Sequence, residues 1–301
     1  MDRLEAMSIL VAAAEAGSLS GASRRLGTPL ATVSRKVSEL EAHLRTQLLN
    51  RSSRRLTLTD AGEAYLAACK RILDEVEEAE RAASGEYAVP RGELIITAPL
   101  VFGRLHVLPI VTSFLAAYPD IDIRLMLADR AVNLLEEHID VAVRIAELPD
   151  SSLVATRVGS IRRVVCASPG YFAARGTPDR PADLSKHDCI SFEGLASPDG
   201  WTFRVGKADA SVATHSRLTV STAEAAIDAA IAGMGIARVL SYQVADAIRS
   251  GKLVAALTDF EPAPWPVSLL YSGQGLLPQK LRAFLDFAVP RLRTALSQTA
   301  A

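Results

Sequence analysis

Apolar positions in the first part of the chain recur at helical spacing. Leu4, Met7, Val11 and Ala14 follow at intervals of three, four and three, which sets them along one face of an amphipathic helix. Ser20 then reads as the N-cap of a short helix, GASRRL, with Gly27 as its terminator. Thr28 and Pro29 supply a cap and a first-turn proline for the next helix. On that helix Val33, Val37, Leu40 and Leu44 form a stripe for burial. At about 100° per residue, Ala31, Ser34, Arg35 and Ser38 fall on the opposite side. Thr32 flanks this outward face, and Leu30 lies at the rim of the buried one. A basic, hairpin-like segment, RSSRRLTLT, closes the region at residue 59.

Residues 60–87 read as one long helix in which Tyr65, Cys69, Ile72, Val76, Ala79 and Ala83 repeat as a heptad seam. Glu75, Glu77, Glu78 and Glu80 crowd the other positions. A lone seam of three heptads more often packs on its own domain than it pairs with a partner helix, but this one follows the basic module with almost no loop, which favours pairing. The stretch SGEYAVPRGE, 84–93, reads as a hinge. Beyond it ELIIT, IDIRLML and DVAVRI are strands, and FGRLHVLPIVTSFLAAY and AVNLLEEH are helices. That alternation predicts a parallel sheet with helices on its faces. A second unit starts near Arg162, with RRVVCAS, RLTV, IARVL and KLVAAL as strands and helices at STAEAAIDAAIAGMG and YQVADAIRS. A last strand, PVSLLY, and a helix from Pro278 to about Thr294 can return to complete the first unit.

The predicted organisation is an α/β protein in three parts. A helix-turn-helix with a wing occupies 1–59, a long helix 60–87, and a two-lobed region 91–301. Lobe 1 takes about 91–161 and 267–301, and lobe 2 about 162–266.

Composition narrows the function. The chain has 301 residues, 49% of them hydrophobic, and a formal net charge of −1, so any electrostatic attraction must be local. Cys69, Cys166 and Cys189 show no CxxC spacing and suit a reduced compartment. Asp2, Glu5 and Glu15 interrupt the N-terminal apolar run and argue against a signal peptide. No apolar run reaches the roughly 20 residues of a membrane span. A cytoplasmic protein is expected, without membrane contact. His43, His106, His138, His187 and His215 lack metal-ligand spacing, and neither a phosphate-binding loop, a dinucleotide fingerprint nor a nucleophile elbow occurs. Neither a catalytic site nor a metal or cofactor is expected.

The charge is concentrated near the N-terminus. Between residues 20 and 59 stand Arg24, Arg25, Arg35, Lys36, Arg45, Arg51, Arg54 and Arg55, opposed by Glu39 and Glu41. A small, hydroxylated, cationic helix face suits a major groove, where arginine reads guanine and Ser or Thr reach base edges or phosphates. One basic helix alone would be a solvated surface. Two short helices, a tight turn and an arginine-rich hairpin together favour double-stranded DNA.

Residues 2–85 closely resemble the N-terminal region of LysR-type transcriptional regulators. The likeness runs through DRLEAMSILVAAAEAGSLSGASRRLG, TVSRKVSELEAHL and LLNRSSRRLTLTDAGEAYLAACKRIL, and continues to DVAVRIAELPDSSLVA and GMGIARVLSYQV. The resemblance implies that Ser34 and Arg35 make base and phosphate contacts, that Arg54 reaches the minor groove from the wing, and that Arg51 contacts phosphate. Pro29, Leu30 and Ala31 stand where the family commonly has Ser-Gln-Pro, so Leu30 lacks an amide for adenine. It also implies dimerisation through the 60–87 helix, hence a quasi-palindromic operator, and assembly into a tetramer. The C-terminal part is implied to resemble periplasmic solute-binding proteins and to hold a small effector between its lobes.

Two α/β lobes place a cleft at the carboxyl ends of their strands. Pro99, Leu100 and Phe102 follow the first strand at its mouth, and Ser221-Thr222-Ala223-Glu224 reads as a capping box after RLTV. Ser221 is read as the cap, and its hydroxyl or that of Thr222 as a candidate ligand contact. Arg144, ending DVAVR, either holds an anionic effector or forms a surface ion pair. A pocket of Leu100, Phe102 and one cation suits an aromatic or short aliphatic carboxylate. The competing reading is a solute-binding protein with a helical N-terminal extension.

Overall fold

The computed structural model describes residues 2–51, 56–84, 89–130, 133–134, 137–149, 151–193, 200–273 and 277–299. The chain divides into two compact units, 1–89 and 90–301. The first contains helices α1 (Arg3–Glu15), α2 (Leu19–Leu26) and α3 (Leu30–Leu44), a hairpin of β1 (Leu49–Arg51) and β2 (Leu56–Leu58), and α4 (Asp60–Ser84).

The Asp2 carboxylate caps α1, accepting the Leu4 and Glu5 N–H groups at 3.0 and 3.3 Å. This helix packs against α2, α3 and α4, so burial runs around most of it, through Ala6, Met7, Ile9, Leu10, Ala12 and Ala13. The expected stripe is therefore corrected: Met7 is buried, Val11 and Ala14 are half-buried, and Leu4 is exposed. A single stripe presumes one neighbour, and α1 has three.

Ser18, not Ser20, caps α2. Its extended backbone lets Oγ accept the Gly21 N–H at 3.0 Å. Gly27 closes α2 at φ 62°, a left-handed turn that glycine adopts without strain. Across that turn the Ser23 hydroxyl donates to the Thr28 carbonyl at 2.7 Å. Pro29 is itself the N-cap of α3, and Thr28 donates its hydroxyl to the Leu26 carbonyl at 3.4 Å instead of capping. Val33, Val37 and Leu40 are fully buried and Leu44 half-buried, as the stripe predicted.

The start of α4 is fastened to the hairpin. Thr59 Oγ1 donates to the Gln47 carbonyl at 2.7 Å and accepts the Gly62 N–H at 3.0 Å. Gly62 lies so close to the chain before β1 that an added Cβ would sit 2.0 Å from the Leu48 carbonyl oxygen. Tyr65 and Cys69 belong to the core of this unit, so the first half of the heptad seam is spent internally. Ile72, 38% exposed, then half-buried Val76 and exposed Ala79 continue it outward. The Ala83 side chain and residues 85–88 lie outside the described set.

The second unit is built on two five-stranded sheets. The first comprises β3 (Gly92–Ala98), β4 (Ile121–Leu127), β5 (Val141–Ile145), β6 (Leu153–Ile161) and β14 (Trp265–Ser272), in the order β4-β3-β5-β14-β6. The second comprises β7 (Arg163–Ala167), β8 (Cys189–Phe192), β11 (Ser216–Val220), β12 (Ile236–Leu240) and β13 (Val254–Ala256), in the order β11-β8-β12-β7-β13. Strands β9 (Trp201–Val205) and β10 (Ala208–Val212) form a separate hairpin.

Both main sheets are mixed, which corrects the parallel expectation. β3 runs parallel to β4 and β5, and β8 parallel to β11 and β12. β14 lies antiparallel to β5 and β6, and β7 antiparallel to β12 and β13. The chain leaves the first sheet along β6 and returns along β14. α10 (Gln279–Thr299) then packs against β6, so the final β–α pair completes the first sheet as anticipated.

The helix after β3 begins as α5 (Leu100–Phe102), passes through a π turn at Gly103–Val107 and continues as α6 (Leu108–Ala117). Among the described residues this helix alone is long and apolar enough to cross a membrane. It packs instead as a core element, burying Phe102, Val107, Val111 and Phe114 against the sheet and α10. Gly103 permits its approach: a Cβ there would lie 2.2 Å from Leu127 Cδ2. Helices α7 (Pro169–Arg175), α8 (Ala223–Ile231) and α9 (Ser241–Arg249) flank the second sheet. The expected AVNLLEEH helix falls partly on 131–132 and 135–136, outside the described residues. Its described residues hold a turn in which the Glu137 N–H meets the Asn133 carbonyl at 2.9 Å.

Candidate nucleic-acid interface and ligand site

Burial of Val33, Val37 and Leu40 fixes the rotation of α3 and determines what faces solvent. Ala31, Arg35 and Ser38 are exposed, and Thr32 and Ser34 are half-buried. Arg35 leaves 66% of its side chain in solvent, with Glu39 3.9 Å away. Leu30 is 48% exposed, projecting outward from the first turn rather than sitting at the rim of the core.

The cations of this unit divide by task. Lys36 is tied to Glu5 of α1 and only 15% of its side chain is exposed. Arg25 meets Glu15 at 2.6 Å, and Lys70 of α4 meets the same carboxylate at 3.1 Å. These charges hold helices to one another. Glu41, counted among the acids that oppose these cations, turns to the backbone: its Oε1 accepts the Leu48 and Leu49 N–H groups at 2.9 and 3.1 Å and anchors the hairpin. The Arg51 backbone pairs with Leu56 in that hairpin; its side chain and all of Arg54 lie outside the described residues.

In the second unit Pro99 is the N-cap of α5 and Leu100 is half-buried. The Leu100 N–H already donates to Asp129 Oδ1 at 3.0 Å. A carboxylate of the chain thus occupies the position that the start of this helix could offer to an anion. Phe102 is fully buried rather than at a cleft mouth. Its ring centroid lies 4.8 Å from that of His106 and 5.5 Å from that of Tyr242 on α9, joining elements of the two sheets. Burial pulls the His106 pKa below its ordinary range and pushes that of Tyr242 up.

Thr222, not Ser221, caps α8. It has the extended backbone that a cap requires, and its Oγ1 accepts the Ala225 N–H at 3.3 Å. Ser221 is exposed one residue earlier.

Arg144 faces the side of the first sheet away from α6. Its neighbours on that face, by strand register, are Thr97, Ala142 and Ser268. The Arg144 Nη1 donates to the Val143 carbonyl at 3.0 Å, and among the described residues it forms no ion pair. Among the described residues its Nη2 is buried without a hydrogen bond, as is Oγ1 of Thr97, a residue 1% exposed. Burial lowers the Arg144 pKa, against the attraction of Glu137. Thr97, Ser268 and Asp129 escaped sequence reasoning because only strand register and loop contacts bring them to this region.

Cys69, Cys166 and Cys189 are buried free thiols, and burial raises their pKa values to about 11, about 12 and about 12. That suits packing rather than reactivity. Among the described residues no three His, Cys, Asp or Glu side chains converge as a metal site would require.

A family model described as a bacterial regulatory helix-turn-helix protein of the lysR family matches residues 4–63, and one described as a LysR substrate binding domain matches 88–293. An HTH-type transcriptional repressor of Pseudomonas aeruginosa (strain UCBPP-PA14) is 36% identical over 291 residues, covering 96% of this chain and 92% of that protein. The HTH-type transcriptional activator AaeR of Escherichia coli (strain K12) is 31% identical, with 95% and 93% covered. Among solved structures, CrgA, a LysR-type transcriptional regulator from Neisseria meningitidis, superposes with a TM-score of 0.60 at 31% identity, covering 96% of this chain and 98% of that one. The full-length Vibrio cholerae virulence activator AphB gives 0.61 at 28% identity, covering 96% and 99%.

Proposed function

The chain belongs to the LysR family and is a transcriptional regulator with an effector-binding domain, not an enzyme; from that premise we propose how its residues read DNA and sense a ligand. The alternative of a solute-binding protein with a helical extension gives way to the match of residues 4–63 to the family's DNA-binding model.

The outward face of α3 enters the major groove. Ser34, Arg35 and Ser38 contact bases and phosphates, Ala31 and Thr32 allow close approach, and Leu30 meets a thymine methyl. Arg51 and Arg54 contact the backbone and minor groove from the wing. The carrying observation is that α3 fully buries Val33, Val37 and Leu40 yet leaves the Arg35 side chain two-thirds exposed. Two copies pair through α4, read a quasi-palindromic operator, and join as a tetramer in the cytoplasm. A mobility-shift titration with the chain's own promoter region tests this reading at two salt concentrations. Binding should weaken steeply with salt, and Arg35→Glu should abolish specific retardation. Retention of full operator affinity by that variant would refute the assignment.

The effector is a small carboxylate or aromatic molecule held between the lobes. Pro99, Leu100, Ser221 and Thr222 border its site, and Phe102 backs it from the core. Two unspent buried donors, Arg144 Nη2 and Thr97 Oγ1, support an anionic group on that face. Asp129 argues against seating the anion at the Leu100 N–H. Binding closes the lobes and changes the angle between paired DNA-binding heads. In a thermal-shift screen of small acids, ligand-induced shifts should shrink in Arg144→Lys and Thr97→Val. Unchanged shifts in both would remove those side chains from the site.

A further inference from the structure

A second cavity lies at the other end of lobe 2. β11 and β12 run toward Thr222 and Tyr242, near the proposed effector cleft. At the opposite end, where β8, β11 and β12 begin, a cavity of about 720 Å³ opens beside α7 and the last turn of α8. That volume falls within the range of small-molecule sites.

Its chemistry is two-sided. Pro169, Ala174, Ile231 and Ala232 supply apolar wall, and Met234 is 44% exposed beside them. Arg175, Arg217 and Lys252 bring three cations, whereas Asp188 is the single acid of the lining.

Asp188 is held rigidly. Its N–H donates to Tyr171 Oη at 3.1 Å, and its carbonyl accepts the Ile236 N–H at 2.9 Å. The chain presses on it so closely that a Cβ on Gly235 would lie 2.3 Å from that carbonyl oxygen. The Asp188 Oδ2 in turn accepts a hydrogen bond from Arg217 Nη1 at 3.3 Å and lies in ion-pair range of Arg175 Nη2 at 3.7 Å. One fixed carboxylate thus aims two guanidiniums along the rim, and with Lys252 the lining keeps two positive charges in excess. Arginine forks and a lysine ammonium in a concave, half-apolar setting recognise anions.

We propose that this cavity is a second ligand site, for a small organic dianion with an apolar body. The anionic groups engage Arg175, Arg217 and Lys252, and the body covers Met234 and the apolar wall. The site stands apart from the effector cleft and does not depend on the assignment made there.

Isothermal calorimetry on the full chain, with phenyl phosphate and phthalate as probes and benzylammonium as comparator, tests it. At least one dianion should bind and benzylammonium should not; which dianion binds separates a phosphomonoester site from a dicarboxylate site. Arg217→Ala and Lys252→Ala should each weaken binding roughly tenfold, the scale of one lost charge-assisted hydrogen bond. Both replace exposed side chains and should keep the parent melting temperature. The proposal is overturned if neither dianion binds at millimolar concentration, if both cavity variants bind like the parent, or if benzylammonium binds equally well.

Discussion

His106 packs against both Phe102 and Tyr242 with its Nε2 buried and, among the described residues, without a hydrogen bond. Burial lowers its pKa from 6.5, and desolvation lowers that of His187 too. Below pH 6.5 the unfolded chain takes up protons that the folded chain refuses, until pH reaches the lowered native values. Stability is therefore complete above that window and falls as pH drops through it. The melting temperature should be lower at about pH 5.5 than at about pH 7.5, and His106→Phe should make the dependence shallower. Equal dependence in both proteins would show that His106 does not titrate in this window. At the same scale, Glu41 shows what composition hides. Counted as charge it opposes nucleic acid; in place it is an acceptor for two backbone N–H groups.

Elements whose signals are local were legible. Gly27 in the left-handed region and the Val33-Val37-Leu40 stripe define the helix-turn-helix within a few residues of themselves. Caps were legible to within one or two positions, since Ser18 stands near Ser20 and Thr222 follows Ser221; backbone angle, not residue type, decides between them. The π turn at Gly103–Val107 was not legible, and neither was the close approach of Gly103 to Leu127, which is distant in sequence. Helix α4 mixes both situations. Tyr65 and Cys69 pack internally, which heptad spacing cannot distinguish from pairing with another chain, whereas Ile72 is left 38% exposed. If α4 joins two copies, Ile72→Asp should shift sedimentation toward monomer while the chain stays folded. An unchanged association state would place the dimer contact elsewhere.

Over the whole molecule, a net charge of −1 concealed the division of labour, because the cations of residues 20–59 are offset within the same unit by acids such as Glu75, Glu77, Glu78 and Glu80 of α4. The candidate ligand face was legible only through Arg144. Its companions Thr97 and Ser268 arrive from strands far apart in the chain and meet by register alone. The sheet order was hidden for the same reason, since β14 takes its place between β5 and β6 only after the chain has built the second sheet. That insertion sets a timetable for biosynthesis. Residues 1–89 can fold as soon as they leave the ribosome, but the first sheet waits with a gap between β5 and β6 until Trp265–Ser272 emerges. A chain stopped before Trp265 should keep the helical signature of its N-terminal unit and lose cooperative melting of the remainder. Such a fragment melting as one cooperative unit would show that the last strand is dispensable.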